Sequence, residues 1–186
     1  ESKASLPKLL PEKFFQEGYV VLHPGSGSGL KAWEEKKWLE LAQKLSRKGC
    51  LLVLTGQGPK ELLFLQKLET AAEVAKEPGA VNLGGRLNLN QLQAIVQGAR
   101  AVVCVDSMIA HLAGACGVKS FIFFNGLNNY RHWTPPESAC PVFKKLPCFP
   151  CYRRRGCLEM GCLSRIETAD FWQKLEAVCK KQRACF

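Results

Sequence analysis

Strand, helix and strand follow one another in residues 101–124, AVVCVDSMIAHLAGACGVKSFIFF. Residues 101–105 form a short apolar run, which is typical of a strand buried on both faces, and residues 120–124 form a second such run. The small and apolar residues 108–116 predict a helix between them, which ends at Gly117. A unit of this kind predicts an open parallel sheet.

Polar side chains lie where the first of these strands ends. Asp106 and Ser107 follow it directly, and His111 comes four residues after Ser107, on the same face of the predicted helix. Parallel sheets bind ligands at this edge, and the start of a helix attracts anions such as phosphate. Taken alone, Asp106 fits a helix cap equally well, and a core position explains His111 better. The three side chains together favour a binding site.

Strands and helices alternate along most of the chain. Apolar runs and amphipathic stretches predict strands at 19–23, 50–55 and 80–83, and helices at 33–48, 60–75, about 89–96 and 167–181. Parallel strands joined by helices place those helices on both faces of the sheet. We therefore predict an α/β fold with a Rossmann-like open parallel sheet and helices on both faces.

The chain length of 186 residues suffices for one domain with its own core. We predict this domain at residues 19–186, with an irregular segment rich in Pro, Gly and Cys at 125–166. Residues 1–18, which include Pro7 and Pro11, are predicted to link two domains, and the absence of an initial Met leads us to expect preceding sequence. Because the sequence has neither a long apolar run nor a signal peptide, we expect a cytoplasmic protein.

A glycine-rich loop, PGSGSGLK at residues 24–31, follows the first predicted strand. Such loops cradle phosphates, although this one matches neither the dinucleotide-binding fingerprint nor the P-loop, and alone it is a weak signal. In a parallel sheet it lies at the same edge as the polar residues after the strand at 101–105. We therefore expect a diphosphate between the two loops, held by Ser26, Ser28, Lys31, Asp106, Ser107 and His111.

The chain is basic, with a net charge of +10 that is unevenly spread. Residues 144–186 contain ten Lys or Arg against four Asp or Glu. This bias favours anionic partners such as phosphates, acidic lipids or nucleic acid, although a solvated basic face explains it too. A nucleic-acid-binding module is therefore an alternative function, supported by the three arginines at 153–155 and opposed by the scarcity of aromatic residues nearby.

Five of the ten cysteines crowd into residues 140–162. A C-x2-C pair and two further thiols suit a tetrahedral structural zinc site formed by Cys148, Cys151, Cys157 and Cys162. The spacing between the pairs is shorter than in zinc ribbons, so free thiols or disulfides are alternatives. A closed site here is expected to pin the irregular segment before the last helix.

Three stretches carry a family resemblance: VLHPGSGSGLKAW at 21–33, VLTGQGPKE at 53–61 and VNLGGRLNLNQLQAIVQGARAVVCVDSMIAHLAGACGV at 81–118. They resemble the carboxyl-terminal half of glycosyltransferase family 9, the bacterial heptosyltransferases, and D-S-x-x-x-H-L-A-x-A-x-G is the most specific motif. The resemblance implies a B-type glycosyltransferase fold, of which this chain is the half that binds the nucleotide-sugar donor. It further implies a donor of the ADP-heptose type, an amino-terminal acceptor domain in the same protein, and a lipopolysaccharide core-type acceptor at the inner membrane.

The resemblance also implies which residues bind the donor: Lys31, Asp106, Ser107 and the amide of Met108 at the diphosphate and sugar, His111 one turn behind, and Leu87 beside the base. Met108 departs from the family, where Gly is common, and its side chain is expected to narrow the phosphate approach or change the sugar accepted.

The expected reaction is an inverting sugar transfer by direct displacement at the anomeric carbon. Lys31 and the helix start after Asp106 are expected to stabilise the leaving diphosphate, with no metal or other cofactor required for the chemistry. The base that deprotonates the acceptor is expected in the other half of the protein. We therefore predict no catalytic residue in this chain, and we expect the chain alone to bind donor without transferring sugar.

Overall fold

A computed structural model describes residues 9–73, 79–134, 137–153 and 155–182, with side chains up to residue 178. Six strands in these ranges form one parallel sheet: β1 (Tyr19–His23), β2 (Leu51–Leu54), β3 (Ala80–Asn82), β4 (Ala101–Val105), β5 (Ser120–Phe123) and β6 (Ala139–Val142). Their order across the sheet is β3-β2-β1-β4-β5-β6. The order reverses between β1 and β4, where parallel sheets characteristically bind ligands.

The described ranges also contain seven helices: α1 (Glu12–Glu17), α2 (Glu35–Arg47), α3 (Pro59–Ala72), α4 (Leu89–Gln97), α5 (Met108–Ala115), α6 (Gly161–Ser164) and α7 (Thr168–Gln182). Helices α2, α3 and α7 share one apolar cluster with the sheet, and α1, α4 and α5 share a second. Helices therefore cover both faces, and the predicted Rossmann-like α/β fold is confirmed.

Strand β1 shows why the strands are continuous apolar runs. Tyr19 and Val21 are buried in the cluster of α1, α4 and α5, whereas Val20 and Leu22 are buried in the cluster of α2, α3 and α7. Because successive side chains alternate between faces and both faces are covered, every position of the strand favours an apolar residue. The five strands predicted from such runs are all present, with ends within about two residues of prediction.

Helix α1 was not predicted, because residues 1–18 were interpreted as a linker. Leu10 and Phe14 are almost fully buried, and the Phe14 ring lies 6.2 Å from that of Tyr19. Six helical residues after Pro11 are too few to display a 3.6-residue period, so the tertiary contacts of Phe14 define this element. The described part of the segment packs against the domain, while the domain boundary itself stays a prediction.

The irregular segment contains one strand that the sequence did not reveal. Strand β6 has only four residues, and Pro141 interrupts its pattern. Proline cannot donate a ladder hydrogen bond, and β6 accordingly lies at the edge of the sheet, paired with β5 alone.

Aromatic packing and two buried side chains hold the rest of this segment. The Tyr130 ring packs 4.4 Å from Phe143, which lies 5.8 Å from Phe149. At the other end, Trp33 Nε1 donates to the carbonyl of Ile166 at 2.9 Å, and Lys37 donates to the same carbonyl at 3.1 Å. The segment is thus anchored to the main core through packing and hydrogen bonds.

Within the ranges given above, no helix combines the length and apolar character needed to cross a membrane.

Candidate functional site

The loops after β1 and β4 meet where the strand order reverses. Lys31 Nζ lies 2.7 Å from Asp106 Oδ2, and the two side chains are 31% and 11% exposed. A short 3-10 helix, Gly29–Lys31, carries the lysine, and the carboxylate directly follows β4. The structure therefore brings Lys31 and Asp106 together, as expected for loops at one edge of a parallel sheet.

The glycine-rich loop uses its serine side chains to shape itself. Ser26 Oγ donates to the carbonyl of Ser28 at 2.7 Å, and Ser28 Oγ accepts from the Leu30 N–H at 3.3 Å. The second bond caps the 3-10 helix that ends at Lys31. An added Cβ at Gly27 would meet no atom within 4 Å, so open space lies beside this backbone. Such space lets a ligand approach the main chain closely.

Helix α5 begins with a buried polar group that has no hydrogen-bond partner among the described residues. Ser107, rather than Asp106, is the N-cap residue, and its side chain makes no capping hydrogen bond. Its Oγ is buried and lacks a hydrogen-bond partner in the described ranges. Buried hydroxyls are nearly always satisfied, so a ligand or water oxygen is the natural partner here. Asp106, meanwhile, is engaged by Lys31 instead of capping the helix.

Two cavities adjoin at this point. The first, which we call the leucine cavity, has a volume of about 340 Å3 and is walled by Leu83, Leu87 and Leu92 together with polar residues, which include His23, Thr55 and Glu61. The second, which we call the lysine cavity, has a volume of about 430 Å3 and is lined by Ser28, Lys31, Asp106, His111, Asn128 and Trp133.

Three residues line both cavities and so mark their border: Gly27, Ser107 and Met108. The Met108 side chain is 54% exposed, which is unusual for a large apolar residue at the start of a helix. An elongated ligand that occupies both cavities must pass these three residues. The open backbone of Gly27 and the unpartnered Ser107 hydroxyl are both at this passage.

The predicted site residues divide between the two cavities. Ser26 and Leu87 line the leucine cavity, whereas Ser28, Lys31, Asp106 and His111 line the lysine cavity. His111 is exposed, so the alternative explanation as a core histidine is wrong. The geometry thus gathers all eight predicted residues around one pair of adjoining cavities, and their role in binding donor stays a prediction.

Comparison with known proteins places this arrangement in a family. The sequence model of glycosyltransferase family 9 (heptosyltransferase) matches residues 2–159. The chain belongs to glycosyltransferase family 9. Lipopolysaccharide heptosyltransferase 1 of Pseudomonas aeruginosa is 28% identical over 136 residues, which are 73% of this chain and 37% of that protein. The matched part of this member of family 9 therefore covers little more than a third of the length of that curated relative.

Solved structures share the fold. ADP-heptose lipopolysaccharide heptosyltransferase II of Escherichia coli superposes with a TM-score of 0.71 at 19% identity, covering 94% of this chain and 54% of that one. Heptosyltransferase WaaC of E. coli with ADP-2-deoxy-2-fluoro heptose gives a TM-score of 0.66 at 21% identity, covering 86% and 43%. Each of these two solved chains is about twice as long as the part of it that this chain matches.

Several residues of the leucine cavity were missed from the sequence, and His23 and Glu61 are the titratable ones. His23 Nδ1 lies 3.0 Å from Thr55 Oγ1, and burial lowers the pKa of His23 to about 4, so the ring is neutral near pH 7. Glu61 accepts the Gln57 N–H at 2.8 Å, and a Cβ on Gly25 would fall 2.0 Å from its Oε1. The signal for Glu61 was its place in the first turn of a helix that follows a Gly-x-Gly turn.

Two residues of the lysine cavity were also missed: Asn128 and Trp133. They follow β5, whose carboxyl end lies at the same edge of the sheet as that of β4, so the predicted strand at 120–124 was the available signal. The absence of periodicity after this strand left the individual residues of the loop unplaced.

The predicted zinc site is not formed. No three His, Cys, Asp or Glu side chains in the described ranges are grouped to hold a metal ion, although all four cysteines lie within those ranges. Helix α6 carries Cys162 into the core beside Gly126, where its thiol is buried, whereas the thiols of Cys148 and Cys157 are exposed. Membership of family 9 weakens the nucleic-acid alternative.

Proposed function

We propose that this domain binds the nucleoside diphosphate sugar donor of a glycosyltransferase and stabilises the diphosphate as it leaves. The observation that carries the proposal is the Lys31–Asp106 ion pair beside the border of two adjoining cavities. A donor of this class has a planar aromatic base at one end, a sugar at the other and a diphosphate between them. The two cavities offer the same sequence of environments.

The leucine cavity suits the nucleoside. Leu83, Leu87 and Leu92 provide an apolar wall for a planar base. The Glu61 carboxylate, in the same cavity, is an acceptor for ribose hydroxyls, the role that acidic residues fill in other nucleotide-binding sheets. His23 is neutral because of its lowered pKa, so it adds a hydrogen-bonding group without a charge.

The border between the cavities suits the diphosphate. The N-terminus of α5 presents main-chain N–H groups and the positive end of the helix dipole, and the buried Ser107 hydroxyl lacks a partner among described residues. Lys31, which is paired with Asp106, adds a cation in the adjoining lysine cavity. Hydrogen bonds to a charged group contribute roughly 1.5–3 kcal/mol each, so three or four give micromolar binding after association costs are deducted.

The reaction step follows from this placement. The acceptor oxygen forms a bond to the anomeric carbon while the bond from that carbon to the diphosphate oxygen breaks. The electron pair of the broken bond stays with the diphosphate, whose extra negative charge Lys31 and the start of α5 stabilise. The proton of the acceptor hydroxyl goes to a base. We assign that base and the acceptor site to the part of the protein beyond this chain.

The names of the relatives support the chemical class. One solved neighbour holds ADP-2-deoxy-2-fluoro heptose, and the curated relative named above is a lipopolysaccharide heptosyltransferase. We therefore propose an ADP-heptose-type donor and a lipopolysaccharide core-type acceptor, which the basic residues of 144–186 favour by attraction at the membrane face. An amino-terminal acceptor domain is the proposed partner of this chain.

Isothermal titration calorimetry tests the proposal. ADP, GDP, UDP, CDP and inorganic diphosphate are titrated separately into the chain. We expect micromolar binding of one nucleoside diphosphate, with weaker binding of diphosphate alone because the leucine cavity is then empty. Equal affinity for all five ligands contradicts a nucleoside-binding leucine cavity, and no binding of any of them contradicts the function itself.

A further inference from the structure

The lysine cavity contains an indole that the proposed function has not used. Trp133 lines this cavity and is 54% exposed, whereas Trp33 and Trp38 are almost fully buried. An isolated exposed apolar side chain needs no explanation, but this one stands in a cavity beside a partly buried ion pair. Aromatic rings in such cavities commonly supply the apolar contact of a ligand.

The backbone beneath Trp133 is firmly anchored. The residue follows the 3-10 helix Tyr130–His132, which the Asn129 side chain caps, and its N–H donates to the Tyr130 carbonyl at 2.9 Å. Tyr130 itself packs 4.4 Å from Phe143 and 6.2 Å from Phe124. An anchored backbone under an exposed ring favours a preformed binding surface, because little order has to be gained on binding.

The other residues of the cavity define the ligand chemistry. Asp106, His111 and Asn128 offer hydrogen-bond acceptors and donors, whereas Trp133 and Met108 offer apolar surface. A ligand that matches this mixture has hydroxyl groups at its edge and a face of C–H bonds. A pyranose ring has both properties, and the Trp ring, with its broad apolar face, is suited to covering the C–H side.

We propose that Trp133 is a sugar-binding platform, on whose indole face the pyranose ring of the donor lies while Asn128 and His111 bind its hydroxyls. This inference rests on the proposed function, because it takes the diphosphate to lie at the border of the two cavities. It adds two residues of the irregular segment to the site and assigns them to the transferred sugar. The base, in contrast, belongs in the leucine cavity.

The inference makes a measurable distinction between ADP and ADP-sugar. The platform contacts only the sugar, so Trp133 contributes to the affinity for ADP-heptose and not to that for ADP. Calorimetry on the full chain gives both dissociation constants, and their ratio reports the sugar contribution alone. In Trp133→Ala we expect the ratio of the ADP dissociation constant to the ADP-heptose dissociation constant to fall about tenfold, while the ADP affinity is unchanged. Trp133→Phe retains most of the ratio because an aromatic face remains.

Tyr152→Ala is the matched control, because Tyr152 is 60% exposed and lines neither cavity. It is expected to leave both affinities unchanged. Far-ultraviolet circular dichroism and an unchanged ADP affinity establish that Trp133→Ala is folded. Indole fluorescence gives a second readout, since ADP-heptose is expected to shift the emission of the wild-type chain but not of Trp133→Phe.

The outcomes separate the two proposals. If the wild-type chain fails to bind ADP, the proposed function is wrong and the platform with it. If the wild-type chain binds ADP and Trp133→Ala leaves both the ADP affinity and the ratio unchanged, the proposed function stands and the platform is wrong. If Trp133→Ala weakens ADP and ADP-heptose equally, the indole contacts the nucleoside, and the assignment of the two cavities is reversed.

Discussion

Lys31 Nζ and Asp106 Oδ2, 2.7 Å apart, join the loops after β1 and β4 across the point where the strand order reverses. The cation that we assign to the donor diphosphate is therefore already paired with a carboxylate. Binding of an anion has to compete with this carboxylate, so the affinity reflects the difference between two interactions. The pair also positions Lys31 in the lysine cavity before any ligand arrives.

Replacing Lys31 by Ala is expected to weaken ADP binding by about tenfold to a hundredfold, because one charge-assisted contact to the diphosphate is lost. Asp106→Asn removes the competing carboxylate and is expected to leave ADP affinity equal or higher. Calorimetry measures both. Lys36→Ala is the control, since Lys36 is exposed on α2 and lines neither cavity. An affinity in Lys31→Ala equal to that of the control contradicts the role of Lys31.

Met108 is expected to restrict the passage between the two cavities. Its flexible side chain stands at their border and must be ordered or displaced when a ligand occupies both. Met108→Gly is therefore expected to raise ADP-heptose affinity several-fold, with faster association in stopped-flow fluorescence. Met108→Leu, which keeps the bulk, is expected to behave like the wild-type chain. Slower association in Met108→Gly than in Met108→Leu contradicts this role.

Much of the site geometry followed from the strand pattern. Apolar runs with polar residues at their carboxyl ends predicted which loops share an edge of the sheet, and the contact of Lys31 with Asp106 is the consequence. The prediction needed only the order of the elements and the parallel direction of the strands. It did not require knowledge of individual side-chain positions.

Other parts of the site lie outside what such patterns can predict. Asn128 and Trp133 follow β5 at this same edge of the sheet, but packing of the Tyr130 ring against Phe143 and Phe149 shapes the loop that carries them. These are contacts between distant parts of the chain and leave no period in the sequence. The zinc prediction failed for a related reason, since spacing alone does not tell whether α6 buries Cys162.

Lys37 is expected to stabilise the fold without taking part in the site. It is 8% exposed and donates to the carbonyls of Ser164 and Ile166 and to Glu167. Burial alone lowers the pKa of Lys37, but hydrogen bonds with Glu167 and Glu34 outweigh it and raise the pKa overall. Lys37→Met leaves two carbonyls without this donor, and we expect a loss of about 2 kcal/mol or more in the free energy of unfolding.

Urea denaturation measures this loss, and Lys36→Met is the matched control on the same helix. Lys36 is exposed, so its replacement is expected to change stability by no more than about 0.5 kcal/mol. Equal unfolding midpoints for the two variants contradict the anchoring role of Lys37. ADP affinity is expected to be unchanged in both variants, since neither residue lines a cavity.

His23 is expected to make stability depend on pH. Burial lowers its pKa from 6.5 to about 4 in the folded chain, so between these values the unfolded chain binds the proton and the folded chain does not. Above pH 6.5 His23 is neutral in both states and does not lower the free energy of unfolding. As the pH falls from 6.5 toward 4, protonation of the unfolded chain lowers this free energy. From pH 7 to pH 5 the expected loss is about 2 kcal/mol.

The comparison with His23→Asn isolates this effect, because carboxylates elsewhere titrate in both chains. Urea denaturation of each at pH 7 and pH 5 gives four free energies of unfolding. The wild-type chain is expected to lose about 2 kcal/mol more than the variant over this interval. The same loss in both chains contradicts a neutral, buried His23.

Donor binding without sugar transfer is the expected behaviour of this chain alone. Displacement at an anomeric carbon requires an acceptor hydroxyl held in line and a base that takes its proton. The two cavities provide a cation, hydroxyls and a helix start, and Asp106, the carboxylate of the lysine cavity, is already paired with Lys31. Radiolabelled ADP-heptose and a lipopolysaccharide core acceptor are incubated with this chain and with a protein extended to the full length of its relatives. We expect product only with the longer protein, whereas both bind ADP. Comparable turnover by the 186-residue chain places the base within it and overturns this division of labour.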